Sequence, residues 1–122
     1  MTRPLPELTL RTRRGPRSCV VSVEGELDHD TAPQLRRALE ELPTAEGGLL
    51  VLDLAGLEFC DSSGITALLA AHRRCTAAGA VLALACANSA VARVVHLTGL
   101  DQVFPLYTTV AEAQASLGSI PA

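Results

Sequence analysis

The residues whose types and spacing could do chemistry are Asp61-Ser62-Ser63-Gly64, which stand at the predicted start of a helix. The first backbone N–H groups of a helix have no acceptor within the helix, and the helix dipole is positive at that end. A phosphate group is therefore electrostatically favoured there, and Gly64 allows close approach to the backbone. The same four residues also suit an ordinary helix cap, so both interpretations stay open at this point.

A second polar loop covers residues 25–30 and follows another predicted strand. In open α/β sheets, functional loops gather where strands end at their carboxyl side. If the two preceding strands are neighbours, the loops 25–30 and 59–64 lie at one edge of the sheet.

Other site chemistries fit the sequence less well. Ser62 is not in a G-x-S-x-G elbow, and His72 and His96 fall on an apolar helix face and near a helix end. There is no phosphate-binding loop, no dinucleotide fingerprint and no C-x-x-C spacing among the four cysteines. An alternative is a divalent-ion site formed by aspartates at one edge of the sheet, namely Asp28, Asp30, Asp53 and Asp61. We expect no enzyme activity, no metal and no cofactor.

Composition excludes several classes of partner. The chain has 122 residues, a net charge of −3 and ten basic residues that are all arginine, which disfavours nucleic-acid binding. Aromatic residues are 2%, too few for a base-stacking platform. No signal peptide is recognised, and no apolar run approaches the roughly 20 residues that span a bilayer. We expect one domain that is soluble and cytoplasmic and does not bind membranes.

The elements that position these residues follow from hydrophobic periodicity. Alternation from Leu8 to Arg13 predicts a strand, and a turn at 14–17 joins it to a second strand at 18–24 as an antiparallel hairpin. The apolar runs 49–54 and 80–85 predict strands buried on both faces, and 103–106 predicts a short last strand.

Four helices are predicted between and after these strands. The first opens on a capping box, Thr31-x-x-Gln34, has its core face at Leu35, Ala38, Leu39 and Leu42, and ends at Pro43. The loop 55–61 leads to the second helix, 63–78. The third is capped by Asn88 or Ser89, and the fourth opens on Thr109-x-x-Glu112. This order predicts an α/β fold: a mixed sheet of four to five strands with an N-terminal hairpin and parallel inner strands, covered by about four helices on one face or both.

Several segments resemble one known family. The segments Gly25–Ala32, Val51–Leu54 and Leu57–Ile65 resemble the STAS domain of bacterial anti-sigma-factor antagonists. The segment Thr98–Leu106 resembles the part of that family that follows its third helix. The resemblance covers about 8–117 as one STAS domain, with 1–7 and 118–122 expected to be flexible termini.

The resemblance implies a mechanism called partner switching. An unphosphorylated antagonist binds an anti-sigma factor, which is itself a GHKL-type serine kinase, and thereby releases a sigma factor. The kinase then phosphorylates the antagonist on the serine after the motif aspartate, and a PP2C-type phosphatase resets it. The chain would then be a bacterial, cytoplasmic regulator of transcription, for example in a stress response, and a monomer when free.

Carried over residue by residue, the resemblance makes Ser62 the phosphoacceptor. Asp28, Asp61, Ser63 and Gly64 match positions that flank it. Cys60 stands where the family often has methionine or another apolar residue, and a thiol there could be oxidised.

A phosphoryl group on Ser62 would add about −1.5 to −2 charges. We expect it to be held by the amides of Ser63, Gly64 and Ile65, so that the fold changes little while the partner is repelled. The outer side of the second helix is a candidate docking face, formed by Thr66, Ala67, Ala70, Ala71, Arg73 and Arg74. Alanine is also simply a good helix former, which is the competing explanation for this face.

Two other functions remain open on the sequence. One is a STAS-type scaffold subunit of a transporter or signalling complex that is never phosphorylated, against which the intact Asp61–Gly64 motif argues. The other is a small enzyme or nucleotide-binding protein that uses the same helix N-terminus, for which no catalytic base is placed.

Overall fold

The structure is a computed structural model that describes residues 7–42 and 45–119. Within these residues it contains six strands and four α-helices. Most of the termini expected to be flexible, and Pro43, which was predicted to end the first helix, lie outside the described residues.

The predicted hairpin is confirmed. Strand β1 (Leu8–Arg14) pairs antiparallel with β2 (Ser18–Leu27), from Leu8 opposite Gly25 to Arg14 opposite Cys19. β2 is longer than predicted, because it includes residues 25–27, which the sequence predicts to be part of a polar loop. Gly25 there has φ +105°, and a Cβ atom on it would lie 2.2 Å from the Glu7 carbonyl oxygen. The glycine therefore lets β2 bend and continue past its irregularity at 25/26.

The sheet has the order β1-β2-β3-β5-β6, and its inner strands are parallel. The central β3 (Leu49–Asp53) and β5 (Val81–Ala85) match the two predicted buried strands. β4 (Leu57–Cys60) lies in the segment predicted as a loop, pairs with the far end of β2, and raises the number of strands to six. β6 is Leu106–Tyr107 rather than 103–106, because a 3-10 helix at Leu100–Gln102 occupies the preceding chain.

The helices are α1 (Ala32–Glu40), α2 (Ser62–Ala77), α3 (Ser89–Leu97) and α4 (Val110–Ala115), which a second 3-10 helix, Ser116–Ser119, follows. Asn88 caps α3, and Thr109 caps α4 by accepting from the Glu112 amide at 3.1 Å. The capping box predicted at Thr31 and Gln34 is wrong, because Thr31 makes no side-chain cap and Gln34 donates to the Leu8 carbonyl oxygen at 2.9 Å.

Helices cover both faces of the sheet, whereas the sequence does not decide between one covered face and two. On one face, α1, α2 and α3 bury the larger core against the sheet, including Leu35, Leu68, Val91, Val21, Leu52 and Leu84. On the other face, α4 places Ala113 against Val20, Val51 and Ala83. Each fully buried aliphatic side chain contributes about 1.5–3 kcal/mol, so these layers hold the strand ends, and the loops that follow them, in place.

Candidate functional site

The two predicted loops meet at the carboxyl ends of β2 and β4. These strands run parallel, with Glu26 opposite Phe59 and Leu27 opposite Cys60. Beyond the last pair, the Asp61 amide donates to the Leu27 carbonyl oxygen at 3.1 Å. The prediction that the two loops lie at one edge is therefore confirmed, and β4, which the sequence did not reveal, is what joins them.

Asp61 organises the start of α2. One of its carboxylate oxygens, Oδ1, accepts from the Ser63 amide at 2.9 Å and from the Gly64 amide at 3.1 Å. Its carbonyl oxygen accepts from the Ile65 amide at 3.0 Å. Asp61 is thus the N-cap, and the amides of Ser63, Gly64 and Ile65 are satisfied within the protein.

This arrangement corrects one expectation. The amides of Ser63, Gly64 and Ile65 were expected to hold a phosphoryl group on Ser62, but all three already donate to Asp61. Ser62 itself is exposed as the first residue of α2, and its carbonyl oxygen accepts from the Thr66 hydroxyl at 2.9 Å. The feature of the site that could react is therefore an exposed serine beside a capping carboxylate. The amides of Ser63, Gly64 and Ile65 are not available to bind a phosphoryl group.

Gly64 is buried where α2 crosses β2 and β4. A Cβ atom on it would lie 2.7 Å from Leu27 Cγ and 2.8 Å from Cys60 Sγ, closer than real Cβ contacts. The close approach predicted at this glycine is therefore made by the protein's own side chains.

Asp28 and Thr31 build the neighbouring loop. Asp28 Oδ1 accepts from the Asp30 amide at 2.9 Å and the Thr31 amide at 3.1 Å. Thr31 is only 5% exposed, donates from its hydroxyl to the Glu26 carbonyl oxygen at 2.7 Å, and accepts from the Asp28 amide at 2.9 Å. Thr31 therefore holds this loop in position. The sequence predicts a different role, a helix cap, because the only pattern that includes Thr31 is the apparent capping box.

The edge that carries Ser62 is acidic. Asp61 donates the hydrogen bond that joins the loops, and Asp28 directly follows its acceptor, Leu27. Asp30 and Glu58 lie nearby in the chain and are exposed. Among residues 7–42 and 45–119, none of these carboxylates forms an ion pair within 4.0 Å. A further negative charge at Ser62 would therefore add to an edge whose carboxylates are not paired with a cation within 4.0 Å in the described part of the chain.

The alternative divalent-ion site does not form in the structure. Asp53 lies at the end of β3, and its Oδ1 accepts from the Ala55 amide at 3.0 Å. Within the described ranges, no three histidine, cysteine, aspartate or glutamate side chains are grouped closely enough to hold a metal ion.

Phe59 is an exposed residue of the site that the sequence does not reveal. It lies on β4, two residues before Asp61, and half of its surface is exposed (50%). The chain has only two phenylalanines, and the other, Phe104, is buried. The available signal is an aromatic residue two positions before the polar motif, but the sequence predicts a loop there rather than a strand.

The predicted docking face of α2 is only partly outward. Thr66 and Arg73 are exposed, and Ala70 is half-buried. Ala67 and Ala71 are 1% and 8% exposed, so placing them on the outer side was wrong. Arg74 donates to the Leu39 and Leu42 carbonyl oxygens at 2.6 and 3.4 Å and thereby fastens α1 to α2. Ala67 and Ala71 lie where α2 faces α1, and a cavity of about 160 Å³ remains between the two helices beside Ala70.

Cys60 is not poised for oxidation. Burial, and to a lesser extent the negative charge of Asp61, raise the pKa of the Cys60 thiol to about 11. At neutral pH the group is therefore a protonated thiol rather than the reactive thiolate. Its Sγ atom instead fills space against Gly64.

Comparisons with known proteins agree with this architecture. A family model described as STAS domain matches residues 8–113. The anti-sigma-F factor antagonist RsfB of Mycobacterium tuberculosis is 34% identical over 94 residues, which cover 77% of this chain and 76% of RsfB. Among the described residues, none of the helices has the length and hydropathy of a membrane-spanning segment.

Three solved structures extend the likeness. An anti-sigma factor antagonist from Mycobacterium paratuberculosis has a TM-score of 0.77 and 34% identity, over 92% of this chain and 95% of that one. The anti-sigma factor antagonist SpoIIAA in its unphosphorylated form has a TM-score of 0.71 and 25% identity, over 93% and 100% of the two chains. The Bacillus SpoIIAA has also been solved in its phosphorylated form, which shares the fold with a TM-score of 0.66, 24% identity and coverage of 89% and 99%.

Proposed function

The chain belongs to the STAS domain family, and from that premise we propose that it is an anti-sigma factor antagonist controlled by phosphorylation of Ser62. In the unphosphorylated form it binds an anti-sigma factor with GHKL-type serine kinase activity and so releases a sigma factor. Phosphorylation at Ser62 ends that binding, and a PP2C-type phosphatase restores it. The protein is a binding partner and kinase substrate in the cytoplasm, with no activity of its own.

The observation that carries the proposal is the exposed hydroxyl-bearing residue at the first position of α2. Ser62 is exposed, whereas Ser63 is half-buried and its amide is bound by Asp61. A kinase needs access to the hydroxyl, and of the two serines Ser62 offers it. That SpoIIAA has been solved in a phosphorylated form supports a modified state for a protein of this kind.

The occupied amides support a change at the surface rather than in the fold. Because Asp61 already caps α2, a phosphoryl group on Ser62 stays outside, next to the carboxylates of Asp61 and Asp28. A bound partner would then meet about two additional negative charges on an edge that is already acidic. Desolvation and repulsion at the interface weaken the complex, while the core is untouched.

The docking surface we propose surrounds Ser62 on β4 and α2. It consists of Phe59, Thr66, Ala70 and Arg73, all of which are at least partly exposed. Phe59 supplies the large apolar contact that centres of interfaces favour, and Arg73 supplies a polar rim. Asp28, Asp61, Ser63 and Gly64 shape the loop beneath it.

Replacing Ala70 by arginine is expected to abolish binding of the anti-sigma factor while the melting temperature stays nearly unchanged. The long side chain can extend to solvent from a half-buried position, but it fills the space that a docked partner needs. Titration calorimetry with the partner and a thermal melt measure the two effects. Ala92→Arg, the same change at a half-buried position on α3, is the control, and unchanged affinity of Ala70→Arg would remove α2 from the interface.

The test of the proposed function is phosphosite mapping by mass spectrometry on the protein from its native cells, with and without phosphatase treatment. We expect one phosphoryl group, on Ser62, that phosphatase removes. It should be absent in Ser62→Ala and still present in Ser63→Ala. A protein that is never phosphorylated under growth or stress conditions would contradict the proposal and support the scaffold function.

A further inference from the structure

A cavity of about 290 Å³ lies at the end of the sheet opposite Ser62. Its lining includes Ser18 and Leu49, which begin β2 and β3, whereas Ser62 follows the carboxyl end of β4. The remaining wall comes from the β1–β2 turn, the chain before β3 and the chain before β5. Nothing in the proposed phosphorylation cycle uses this cavity, so an inference about it does not depend on that cycle.

The inner wall of the cavity is apolar. Leu42, Leu49 and Leu50 line it and are almost fully buried, and Pro16 and Ala80 complete the apolar surface. Most pockets that bind small molecules have this character, with a few polar groups that fix orientation.

Two arginines line the same cavity from the exposed side. Arg14 ends β1, and Arg17 lies in the following turn; both are exposed. Across the described residues, neither guanidinium forms an ion pair within 4.0 Å. Arg17 Nη2 donates to the Gly47 carbonyl oxygen at 3.2 Å, which holds the side chain near the cavity and leaves its other N–H donors available.

The charge balance of the lining selects the ligand. Glu46 also lines the cavity, so two positive side chains and one negative side chain leave a net charge of one positive unit. A carboxylate carries a single negative charge, which matches this net charge, and it can accept two parallel hydrogen bonds from a guanidinium. The ligand that matches this lining therefore has one carboxylate and an apolar body.

The volume sets the length of that body. With about 30 Å³ for each water-sized group, the cavity holds about ten heavy atoms. Octanoate has this size. We propose that the cavity binds a medium-chain carboxylate, with its chain against Leu42, Leu49 and Leu50 and its carboxylate on Arg14 and Arg17.

Cys19 offers a reporter inside the cavity. Its half-buried thiol lines the wall. Burial raises the pKa of this thiol, and the positive charge of Arg14 opposes the rise, which is consistent with a guanidinium close to the sulfur atom. A bound chain would cover the thiol and slow its alkylation.

The experiment uses the full chain and octanoate as the probe, with octan-1-ol and acetate as comparison ligands. Titration calorimetry measures affinity, and iodoacetamide labelling, read at the Cys19 peptide by mass spectrometry, measures protection. We expect octanoate to protect Cys19 and to bind at least about tenfold more tightly than octan-1-ol, while acetate does neither. Arg14→Gln and Arg17→Gln should lose that tenfold preference, whereas Arg11→Gln, an exposed arginine of β1 that does not line the cavity, should retain it.

Equal affinity for octanoate and octan-1-ol would overturn the carboxylate assignment. So would a loss of the preference for octanoate in Arg11→Gln as large as that in Arg14→Gln and Arg17→Gln. Absence of protection at Cys19 would overturn the location. Ala80→Leu, which fills part of the cavity, should reduce binding of both ligands, and circular dichroism shows whether that variant is folded. Because Arg14 and Arg17 are exposed, their glutamine variants keep the test decisive even if Ala80→Leu does not fold.

Discussion

Phosphorylation of Ser62 is expected to weaken binding of the anti-sigma factor by about 100-fold or more, which is about 2.7 kcal/mol. The added group carries about −1.5 to −2 charges and is placed beside Asp61, whose carboxylate caps the same helix. Since Asp61 Oδ1 occupies the amides of Ser63 and Gly64, these groups do not neutralise the phosphate within the protein. The partner would have to desolvate it, and that cost appears as lost affinity.

Titration calorimetry with the unphosphorylated protein, the phosphorylated protein and Ser62→Glu measures this effect. The structure offers a closely matched control in Ser89, which is also exposed and is also the first residue of a helix, after the Asn88 cap. Ser89→Glu should bind the anti-sigma factor as the unmodified protein does. If the phosphorylated protein binds with undiminished affinity, charge at Ser62 is not the switch.

Replacing Gly64 by alanine is expected to destabilise the protein by about 1–3 kcal/mol, the usual cost of overpacking a core. Glycine-to-alanine changes inside helices normally stabilise by up to about 1 kcal/mol, so the sign of the effect is itself diagnostic. The reason for the reversal is the contact of the new Cβ with Leu27 Cγ at 2.7 Å and Cys60 Sγ at 2.8 Å. Urea unfolding measures the change.

A second substitution separates this clash from a general effect on the helix. After Leu27 Cγ, the atom nearest to the new methyl group is Cys60 Sγ, and Cys60→Ala removes it. The double variant Gly64→Ala/Cys60→Ala should therefore lose less stability than the sum of the single variants, with a coupling above about 0.5 kcal/mol. Strict additivity, or a stabilised Gly64→Ala, would mean that α2 can shift away from β2 and β4 at little cost.

The frame of the fold could be predicted because its signals are local. β1 alternates, β3 and β5 are continuous apolar runs, and Asp61 and Asn88 are recognisable caps. β4 gave no such signal, because it is four residues long with only Leu57 buried and pairs solely with a continuation of β2 that was itself predicted as a loop. A strand of this kind is defined by its partner rather than by its own pattern.

The site was predictable in its members but not in its hydrogen bonds. The positions of Ser62 and Asp61 at a helix start follow from residue types. Which acceptor holds the Ser63 and Gly64 amides depends on the rotamer of Asp61, and composition does not encode a rotamer. The burial of Ala67 does not follow from the sequence for a related reason. Alanine is small enough to fit on either face of a helix, and only the approach of α1, fastened by Arg74, decides between the two faces.

The capped amides at the start of α2 also bear on how quickly the proposed cycle can be reset. A phosphoryl group that is enclosed by backbone amides must first be released before a phosphatase can attack it, and that release would add a barrier to dephosphorylation. Here the amides are engaged by Asp61, and Ser62 faces solvent. In the proposed cycle the lifetime of the modified state is therefore governed by the encounter with the phosphatase and its turnover, so that the duration of the response is decided outside the antagonist itself.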